Sequence, residues 1–234
     1  MNKDLFVNTA KKLNIEVSTG QVEKFKKYSE LLVEKNKVMN LTSITDDDGI
    51  AIKHFIDSIL VLSLVEIPEN SKIIDVGTGA GFPGIPLKIM REDMEITLLD
   101  SLNKRITFLN EVKTALNLEK TVCVHSRAED GGKNKDLREK FDFSVSRAVA
   151  PLKILCEYDL PFVKVGGYFI AMKSAEIDEE IEESRAMIGS LGGKIKEIKE
   201  ITIPDTDIKR KIVIIEKVKE TPKQFPRNQK KIGR

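Results

Sequence analysis

The chain has few cysteines, few histidines and no long apolar run, and each shortage excludes a class of protein. Two cysteines, Cys123 and Cys156, match no metal-ligand spacing and are too few for a disulfide-built scaffold. Two histidines in 234 residues leave too few ligands for a histidine-built metal centre. No apolar run approaches the roughly 18–20 residues that cross a bilayer. We therefore expect neither a metal site nor a membrane span.

An excess of one charge is also missing. Lysine and arginine total 39 and aspartate and glutamate total 37, a net charge of +2, so any nucleic-acid surface must be a local patch. Hydrophobic residues make up 41% and charged residues 32%, as in ordinary globular proteins. The first 14 residues lack the apolar core of a secretory signal. We therefore expect a cytoplasmic protein, and we expect a monomer.

The first 68 residues have the pattern of a helical region. Ser18 and Gln21 have the spacing of a capping box, and apolar residues follow at helical spacing to about Lys37. Asp46 to Asp48 offer N-caps for a further helix that ends before Pro68. The sequence therefore predicts an N-terminal helical region over residues 1–68.

Between residues 69 and 220, short β-type segments alternate with helical ones. The predicted strands are Lys72–Val76, Glu95–Asp100, Thr121–His125, Phe141–Val145, Gly167–Met172, Lys194–Ile203 and Lys209–Val218. The predicted helices are Gly84–Arg91, Asn103–Asn117, one beginning at Pro151, and Ile177–Leu191. Alternation predicts a parallel sheet, but the last two strands have no helix between them and favour antiparallel pairing. We therefore expect the α/β class I methyltransferase fold, a mostly parallel seven-stranded sheet with one antiparallel strand.

The main chemical signal is a glycine-rich turn, Asp75-Val-Gly-Thr-Gly-Ala-Gly-Phe-Pro-Gly84, between a strand and a helix. Gly79, Gly81 and Gly84 match the dinucleotide fingerprint, in which a pyrophosphate lies at the helix N-terminus. Asp75, Gly77, Gly79 and Gly81 match the S-adenosylmethionine loop, in which the carboxylate lies near the cofactor's cationic amino-acid part. Asp75 has no evident task in the first interpretation, which favours the second. A turn that needs glycine for packing alone is the remaining interpretation.

Asp100 ends the second predicted strand. A carboxylate at this place can accept hydrogen bonds from both ribose hydroxyls of an adenosine. Because both candidate cofactors contain adenosine, Asp100 does not separate them. A helix-capping role is the alternative, which Ser101 and Asn103 could fill equally well.

Several longer motifs resemble the RsmG (GidB) family of small-subunit ribosomal RNA methyltransferases. The motifs are Asn40–Ile44, His54–Ser58, Asp75–Pro86, Asp100–Arg105, Ser126–Glu129 and Ser146–Pro151. The most specific are Gly-Phe-Pro-Gly-Ile-Pro, directly after the glycine turn, and Ser-Arg-Ala-Val-Ala-Pro. The resemblance implies methyl transfer from S-adenosylmethionine to N7 of a guanine in the decoding-region loop of 16S rRNA. The implied partner is this rRNA, within the small ribosomal subunit or an assembly intermediate.

The resemblance also implies roles for single residues. Gly77 and Phe82 correspond to cofactor contacts, Asp100 to the ribose acceptor, and Ala128 and Glu129 to adenine-side contacts. Together with the glycine turn, the predicted cofactor contacts are Asp75, Gly77, Gly79, Gly81, Phe82, Asp100, Ser101, Ala128, Glu129 and Arg147. Arg147 and Lys173, at the ends of the fourth and fifth predicted strands, are the predicted catalytic residues; Arg147 could hold guanine O6, a phosphate or the cofactor carboxylate.

The chain departs from the family in three places. Met172-Lys173-Ser174 stands where a lysine–glycine pair is expected, tryptophan is absent, and the C-terminal stretch stops early. The tail, residues 221–234, is basic: from Lys217 to Arg234 there are seven basic residues and one acidic residue. A solvated tail and an arm that touches phosphates are both open interpretations. His54 and Asp57 are interpreted first as a helix-stabilising pair.

The N7 atom of guanine carries a lone pair and no proton, so its methylation needs no general base. Ser146-Arg147-Ala148 stands where enzymes that methylate exocyclic nitrogens often place Asn/Asp-Pro-Pro-Tyr, which agrees with an N7 target. Three alternatives stay open: a methyltransferase of this fold with another substrate, an rRNA assembly factor that binds the cofactor without turnover, and a nicotinamide oxidoreductase.

Overall fold

A computed structural model, which describes residues 1–228 and 232, contains one seven-stranded sheet. The strand order is β3-β2-β1-β4-β5-β7-β6. The strands are β1 (Lys72–Val76), β2 (Glu95–Asp100), β3 (Thr121–His125), β4 (Phe141–Arg147), β5 (Val163–Ser174), β6 (Gly193–Thr202) and β7 (Lys209–Lys217). The five strands β1 to β5 pair in parallel, whereas β7 is antiparallel to both β5 and β6. The predicted class I methyltransferase fold is confirmed.

The single antiparallel strand follows from the connection before it. Residues 203–208 join β6 to β7 by a tight turn, in which the Ile203 amide donates to the carbonyl of Ile208. A parallel neighbour needs a long crossover, which this segment is too short to supply.

Helices cover both faces of the sheet and form the N-terminal region. They are α1 (Lys3–Lys12), α2 (Thr19–Met39), α3 (Asp47–Gly49), α4 (Asp57–Ile59), α5 (Gly84–Met90), α6 (Asn103–Ala115), α7 (Ala128–Gly131), α8 (Leu152–Asp159) and α9 (Asp178–Ser190). A π-helical segment, Ile50–Ile56, joins α3 to α4, and 3₁₀ turns cover Leu60–Ser63 and Leu160–Phe162. The Ser18–Gln21 capping box is present at the start of α2. The short helix α7 has no counterpart among the predicted elements. The further helix predicted after Asp46–Asp48 is present, but it is divided into α3, the π-helical segment, α4 and a 3₁₀ turn.

The N-terminal helices share a hydrophobic core with one face of the sheet. At its centre a chain of aromatic rings runs from Phe6 through Phe25, Phe55 and Tyr28 to Phe82, with neighbouring ring centroids 4.7–5.5 Å apart. Such ring pairs stabilise a core beyond their buried area. The helices therefore pack directly against the glycine turn. The proposed boundaries at residues 68 and 220 stay a prediction.

The C-terminal segment packs against the sheet domain as far as Asn228. Phe225 is buried, and the Arg227 guanidinium pairs with the buried Glu157 carboxylate at 2.7 Å. Arg138 donates to the carbonyls of Thr221 and Phe225. This part of the tail is anchored, so it is neither solvated nor extended as an arm. The basic residues Lys230, Lys231 and Arg234 lie outside the described residues.

Sheet topology fixes where a ligand site belongs. From β1 the chain moves outward to β2 and β3, and then returns to β4 on the other side of β1. Ligands of open α/β sheets bind at the carboxyl ends of the strands, where the order reverses in this way. The residues after β1, β2, β3 and β4 therefore meet around one crevice.

Candidate functional site

A cavity of about 480 Å³ opens at the carboxyl ends of β1 to β4. This volume lies within the range of small-molecule sites. Its walls are formed by the glycine turn, by the ends of β2 and β4, by the start of α7 and by the N-terminal helical region. The predicted contacts that line it are Gly77, Gly79, Phe82, Asp100, Ser101, Ala128, Glu129 and Arg147. The cavity thus brings together eight of the predicted site residues.

Backbone conformation explains two glycines of the turn. Gly77 and Gly79 have φ angles of +73° and +63°, which side chains with a Cβ rarely adopt. A Cβ on Gly77 would also lie 3.0 Å from the Val149 side chain. The amides of Gly77 and Thr78 both donate to the carbonyl of Leu99 at the end of β2. The turn therefore presents bare backbone to the cavity and is fixed to the neighbouring strand.

Asp75 lies behind the turn and does not line the cavity. It is fully buried, and its Oδ2 accepts from the Thr78 hydroxyl and from the Gly84 amide, both at 2.7 Å. Burial raises the pKa of Asp75 to about 7, against the effect of these two hydrogen bonds. The carboxyl group ties the two ends of the glycine turn together. A direct contact between Asp75 and a cofactor stays a prediction.

Gly81 also lies behind the turn, away from the cavity lining. Its φ angle is +106°, and a Cβ at this position would lie 2.6 Å from Ile85 and 2.7 Å from the hydroxyl of Tyr28. Close packing against α2 and α5 is therefore what requires glycine here, and a cofactor contact of Gly81 stays a prediction.

Asp100 lies at the cavity wall with its carboxylate held in one orientation. The carboxylate accepts from the Gly79 amide and the Leu102 amide, each at 2.9 Å, and from Arg105 at 3.1 Å. Asp100 is almost fully buried, whereas the Arg105 side chain is about one-third exposed. An ionised carboxylate has about four lone-pair sites. The two amides fix the carboxylate, and Arg105 occupies a lone-pair site at which a ribose hydroxyl could donate instead.

Glu129 supplies a second carboxylate to the cavity. It is buried at the first turn of α7 and has no hydrogen-bond or ion-pair partner between residues 1 and 228. Ala128 lies beside it, and the Tyr158 side chain borders the same end of the cavity. Two carboxylates on one wall suit a ligand rich in hydrogen-bond donors, such as the ribose and adenine amino groups of an adenosine.

Arg147 forms the opposite wall. Its Nη1 donates to Asp57 at 2.9 Å and to the carbonyls of Lys53 and His54, and the guanidinium lies 5.2 Å from the centre of the Phe82 ring. Among residues 1–228, Nε and Nη2 of Arg147 have no protein acceptor, and burial lowers the pKa of this guanidinium. Both nitrogens therefore remain available as donors to a ligand.

Lys173 lies apart from this arrangement. Its ammonium group pairs with Glu180 at 2.7 Å and donates to the Ala150 carbonyl at 3.0 Å, and it does not line the cavity. The ammonium group thus ties α9 to the loop after β4. A catalytic role for Lys173 stays a prediction.

Within residues 1–228 and 232, no group of three or more histidine, cysteine, aspartate or glutamate side chains could hold a metal ion. In the same part of the chain, no helix has both the length and the apolar character that spanning a membrane requires.

Comparison with known families settles which proteins this chain is related to. The family described as rRNA small subunit methyltransferase G (GidB) matches residues 21–213. The chain belongs to the GidB family of small-subunit rRNA methyltransferases. A relative from Clostridium perfringens (strain 13), a ribosomal RNA small subunit methyltransferase G, is 51% identical over 224 residues, which span 96% of this chain and 94% of the relative. A relative of the same name from Thermoanaerobacter sp. (strain X514) is 52% identical over 231 residues, which span 99% of this chain and 96% of the relative.

Solved structures support the fold of this GidB-family chain. A SAM-dependent methyltransferase from Aquifex aeolicus superposes with a TM-score of 0.55 at 18% identity, covering 75% of this chain and 96% of the other. TYW2 from M. jannaschii, whose structure was solved in complex with AdoMet, superposes with a TM-score of 0.52 at 15% identity. The match covers 87% of this chain and 79% of the other. At these identities the likeness shows the shared fold alone.

The predicted site residues leave out part of the wall opposite Glu129. In this GidB-family chain, Thr42 and His54 line the cavity, and the Thr42 hydroxyl lies 2.8 Å from Nε2 of His54. The His54 ring stacks on Phe82 with centroids 4.5 Å apart. Burial, aided by the nearby Arg147 charge, lowers the pKa of His54 to about 4. The histidine is therefore neutral at physiological pH and adds no positive charge to the wall.

The role of Asp57 was also missed. It is buried at the start of α4, where it pairs with Arg147 and also with Arg210 of β7 at 2.7 Å. The prediction that Asp57 pairs with His54 is therefore wrong. The Asp57 carboxylate instead pairs with Arg147 of β4 and Arg210 of β7. Asp57 belongs to the His54–Ser58 motif, so the sequence did single out this residue. No local spacing, however, indicates that its side chain contacts β7.

Proposed function

We propose that this chain transfers the methyl group of S-adenosylmethionine to N7 of a guanine in the decoding-region loop of 16S rRNA. Family membership supports the substrate class, and the two-walled cavity supports the reaction. The observation that carries the proposal is the pairing of a carboxylate wall, Asp100 and Glu129, with a wall that contains Arg147. The first wall suits an adenosine, and the second suits guanine O6 or a phosphate.

The residues present fit the cofactor at the adenosine end. Asp100 would accept from the ribose hydroxyls, and Glu129 from the adenine amino group. Gly77 and Gly79 would allow close approach of the backbone, and Phe82 would pack against the cofactor between the walls. When bound, S-adenosylmethionine supplies an activated methyl group on a sulfonium centre.

The cavity suits a reaction that moves no proton. N7 of guanine would take the methyl group with its lone pair while the bond from the methyl carbon to sulfur breaks, and S-adenosylhomocysteine would leave as a neutral thioether. Catalysis therefore depends on positioning and electrostatics rather than on a general base. Nε and Nη2 of Arg147 would orient the base or a flanking phosphate. His54 is neutral and adds no repulsion against a base that becomes cationic.

The form of the substrate, the compartment and the oligomeric state belong to the same proposal. With a net charge of +2, the chain has little general affinity for nucleic acid, so we propose that rRNA shaped within the small subunit or an assembly intermediate is the substrate. We propose further that the chain acts in the cytoplasm as a monomer. Lys173 would act through the loop after β4, which it holds.

Methyl transfer followed by nucleoside identification tests the proposal. Small subunits from a strain that lacks this protein are incubated with the purified chain and radiolabelled S-adenosylmethionine, and the rRNA is digested to nucleosides. The proposal expects label in N7-methylguanosine from one site in the decoding region. Label in another nucleoside, or in protein, would assign a different methyltransferase activity. Absence of transfer with the cofactor bound would favour an assembly factor.

A further inference from the structure

Helix α2 holds the glycine turn and the following helix at two points. Near its middle, the Tyr28 hydroxyl donates to the carbonyl of Ala80 at 2.5 Å. At its first turn, Nε2 of Gln21 donates to the carbonyls of Ile89 and Met90 at the end of α5. Ala80 itself lines the cavity. The N-terminal region is therefore hydrogen-bonded to the backbone that would face the cofactor.

The Tyr28 side chain is held in place by packing on both sides. It is fully buried, its ring stacks on Phe55 with centroids 5.5 Å apart, and it contacts Phe82 at the same distance. Burial raises the pKa of Tyr28 well above its usual value, so the hydroxyl stays a neutral donor. Phe82 forms part of the cavity wall. Tyr28 thus supports the turn through its hydroxyl and the wall through its ring.

Gly81 makes this arrangement possible. A Cβ on Gly81 would lie 2.7 Å from the Tyr28 hydroxyl, which is closer than such contacts allow. The third glycine of the Gly77–Gly81 series therefore leaves space for the hydroxyl from α2. This explains why the motif has glycine at position 81 although Gly81 does not line the cavity.

We infer that Tyr28 is a positioning residue for cofactor binding, acting through the Ala80 carbonyl and Phe82. The inference rests on the proposed function, in which the cavity binds S-adenosylmethionine. When the hydroxyl is missing, the buried Ala80 carbonyl loses its partner, and the turn occupies other conformations more often. The apparent cofactor affinity equals the intrinsic affinity multiplied by the fraction of chains whose turn is competent to bind, so it falls as that fraction falls.

The test compares Tyr28→Phe with the wild-type chain by isothermal titration calorimetry with S-adenosylmethionine. The variant keeps the ring and removes only the hydroxyl, so we expect the fold to remain and the Kd to rise about three- to tenfold, as for one hydrogen bond. In methyl-transfer assays, KM for the cofactor should rise, whereas kcat at saturating cofactor and KM for the small subunit should stay near wild type. A general loss of stability would not produce this split.

Phe6→Leu is the matched control. Phe6 lies at the far end of the same aromatic chain and does not line the cavity, so this variant should lower the melting temperature and keep wild-type cofactor affinity. Unchanged affinity in Tyr28→Phe, or equal losses in both variants, would overturn the inference while leaving the proposed function intact. A wild-type chain that does not bind S-adenosylmethionine would overturn both.

Discussion

Individual side chains at the cavity are held by partners that leave some of their polar atoms free. Asp100 is fixed by two backbone amides, and Arg147 is fixed by Asp57 and two carbonyls. Pre-oriented groups lose little freedom when a ligand binds, so their contacts contribute more to affinity.

Asp100→Ala should weaken S-adenosylmethionine binding by about 1–3 kcal/mol, as expected for hydrogen bonds to a charged group. Calorimetry gives the affinity directly. Glu95→Gln is the control, because Glu95 begins the same strand at the opposite end, where it forms a half-exposed ion pair with Lys72. Affinity unchanged in Asp100→Ala would refute the ribose assignment.

Arg147→Ala should abolish methyl transfer and keep much of the cofactor affinity, because the adenosine end of the cavity lies on the opposite wall. Asp57 would still pair with Arg210 at 2.7 Å, so its buried charge would not be left alone. Radiolabelled transfer and calorimetry measure the two properties separately. If cofactor binding were lost while the fold remained, Arg147 would be mainly a cofactor ligand.

His54 should make stability depend on pH. Its pKa is about 4 in the folded chain and has its ordinary value near 6.5 in the unfolded chain. Between these pH values the unfolded state binds more protons, so the free energy of unfolding should fall as pH is lowered through this window, by about 3 kcal/mol in all. Urea unfolding of the wild type and of His54→Phe at pH 7 and pH 4.5 measures this fall in the free energy of unfolding.

The His54→Phe variant should lose less stability than the wild type over the same pH change. An equivalent variant of the exposed His125 shows the effect of removing a histidine elsewhere. Parallel losses in the wild type and in His54→Phe would show that other groups cause the pH dependence.

Elements with local signals were predictable, whereas elements shaped by tertiary contacts were not. The Ser18–Gln21 box correctly placed the start of α2, because capping uses neighbouring residues. The Ile50–Ile56 segment is π-helical, which places Asp57 against Arg147 and Arg210, and its sequence gives no sign of the wider turn. The strand β4 also runs to Arg147, two residues past the predicted end, because pairing with β5 extends it.

The C-terminal segment is an element whose anchor can be tested. The backbone amide and guanidinium of Arg227 both donate to Glu157, whose side chain is almost fully buried. Glu157→Gln replaces charged hydrogen bonds by weaker ones, so the free energy of unfolding should fall by about 1–3 kcal/mol in urea titrations. Glu182→Gln, which removes an exposed pair with Arg185, should leave the midpoint unchanged. Equal changes in the free energy of unfolding in both variants would show that the Glu157–Arg227 contact stabilises the chain no more than an exposed ion pair does.

Alternation of strands and helices along the chain predicted the sheet, and the sequence motifs predicted the family. The glycine turn and Asp100 were interpreted as cofactor contacts from their places after two strands, and the family resemblance added Glu129. All three line the same cavity. Contacts between the N-terminal helices and the glycine turn were not predictable, since Tyr28 and Ala80 are 52 positions apart. Such long-range contacts depend on how helices dock, which no local pattern encodes.

Calorimetric titration of the purified chain shows whether the turn after β1 binds S-adenosylmethionine. Titration with S-adenosylmethionine should give one site per chain, and titration with NAD⁺ should give no heat of binding. Binding of NAD⁺ in place of S-adenosylmethionine, or no binding of S-adenosylmethionine at all, would contradict this assignment of the turn.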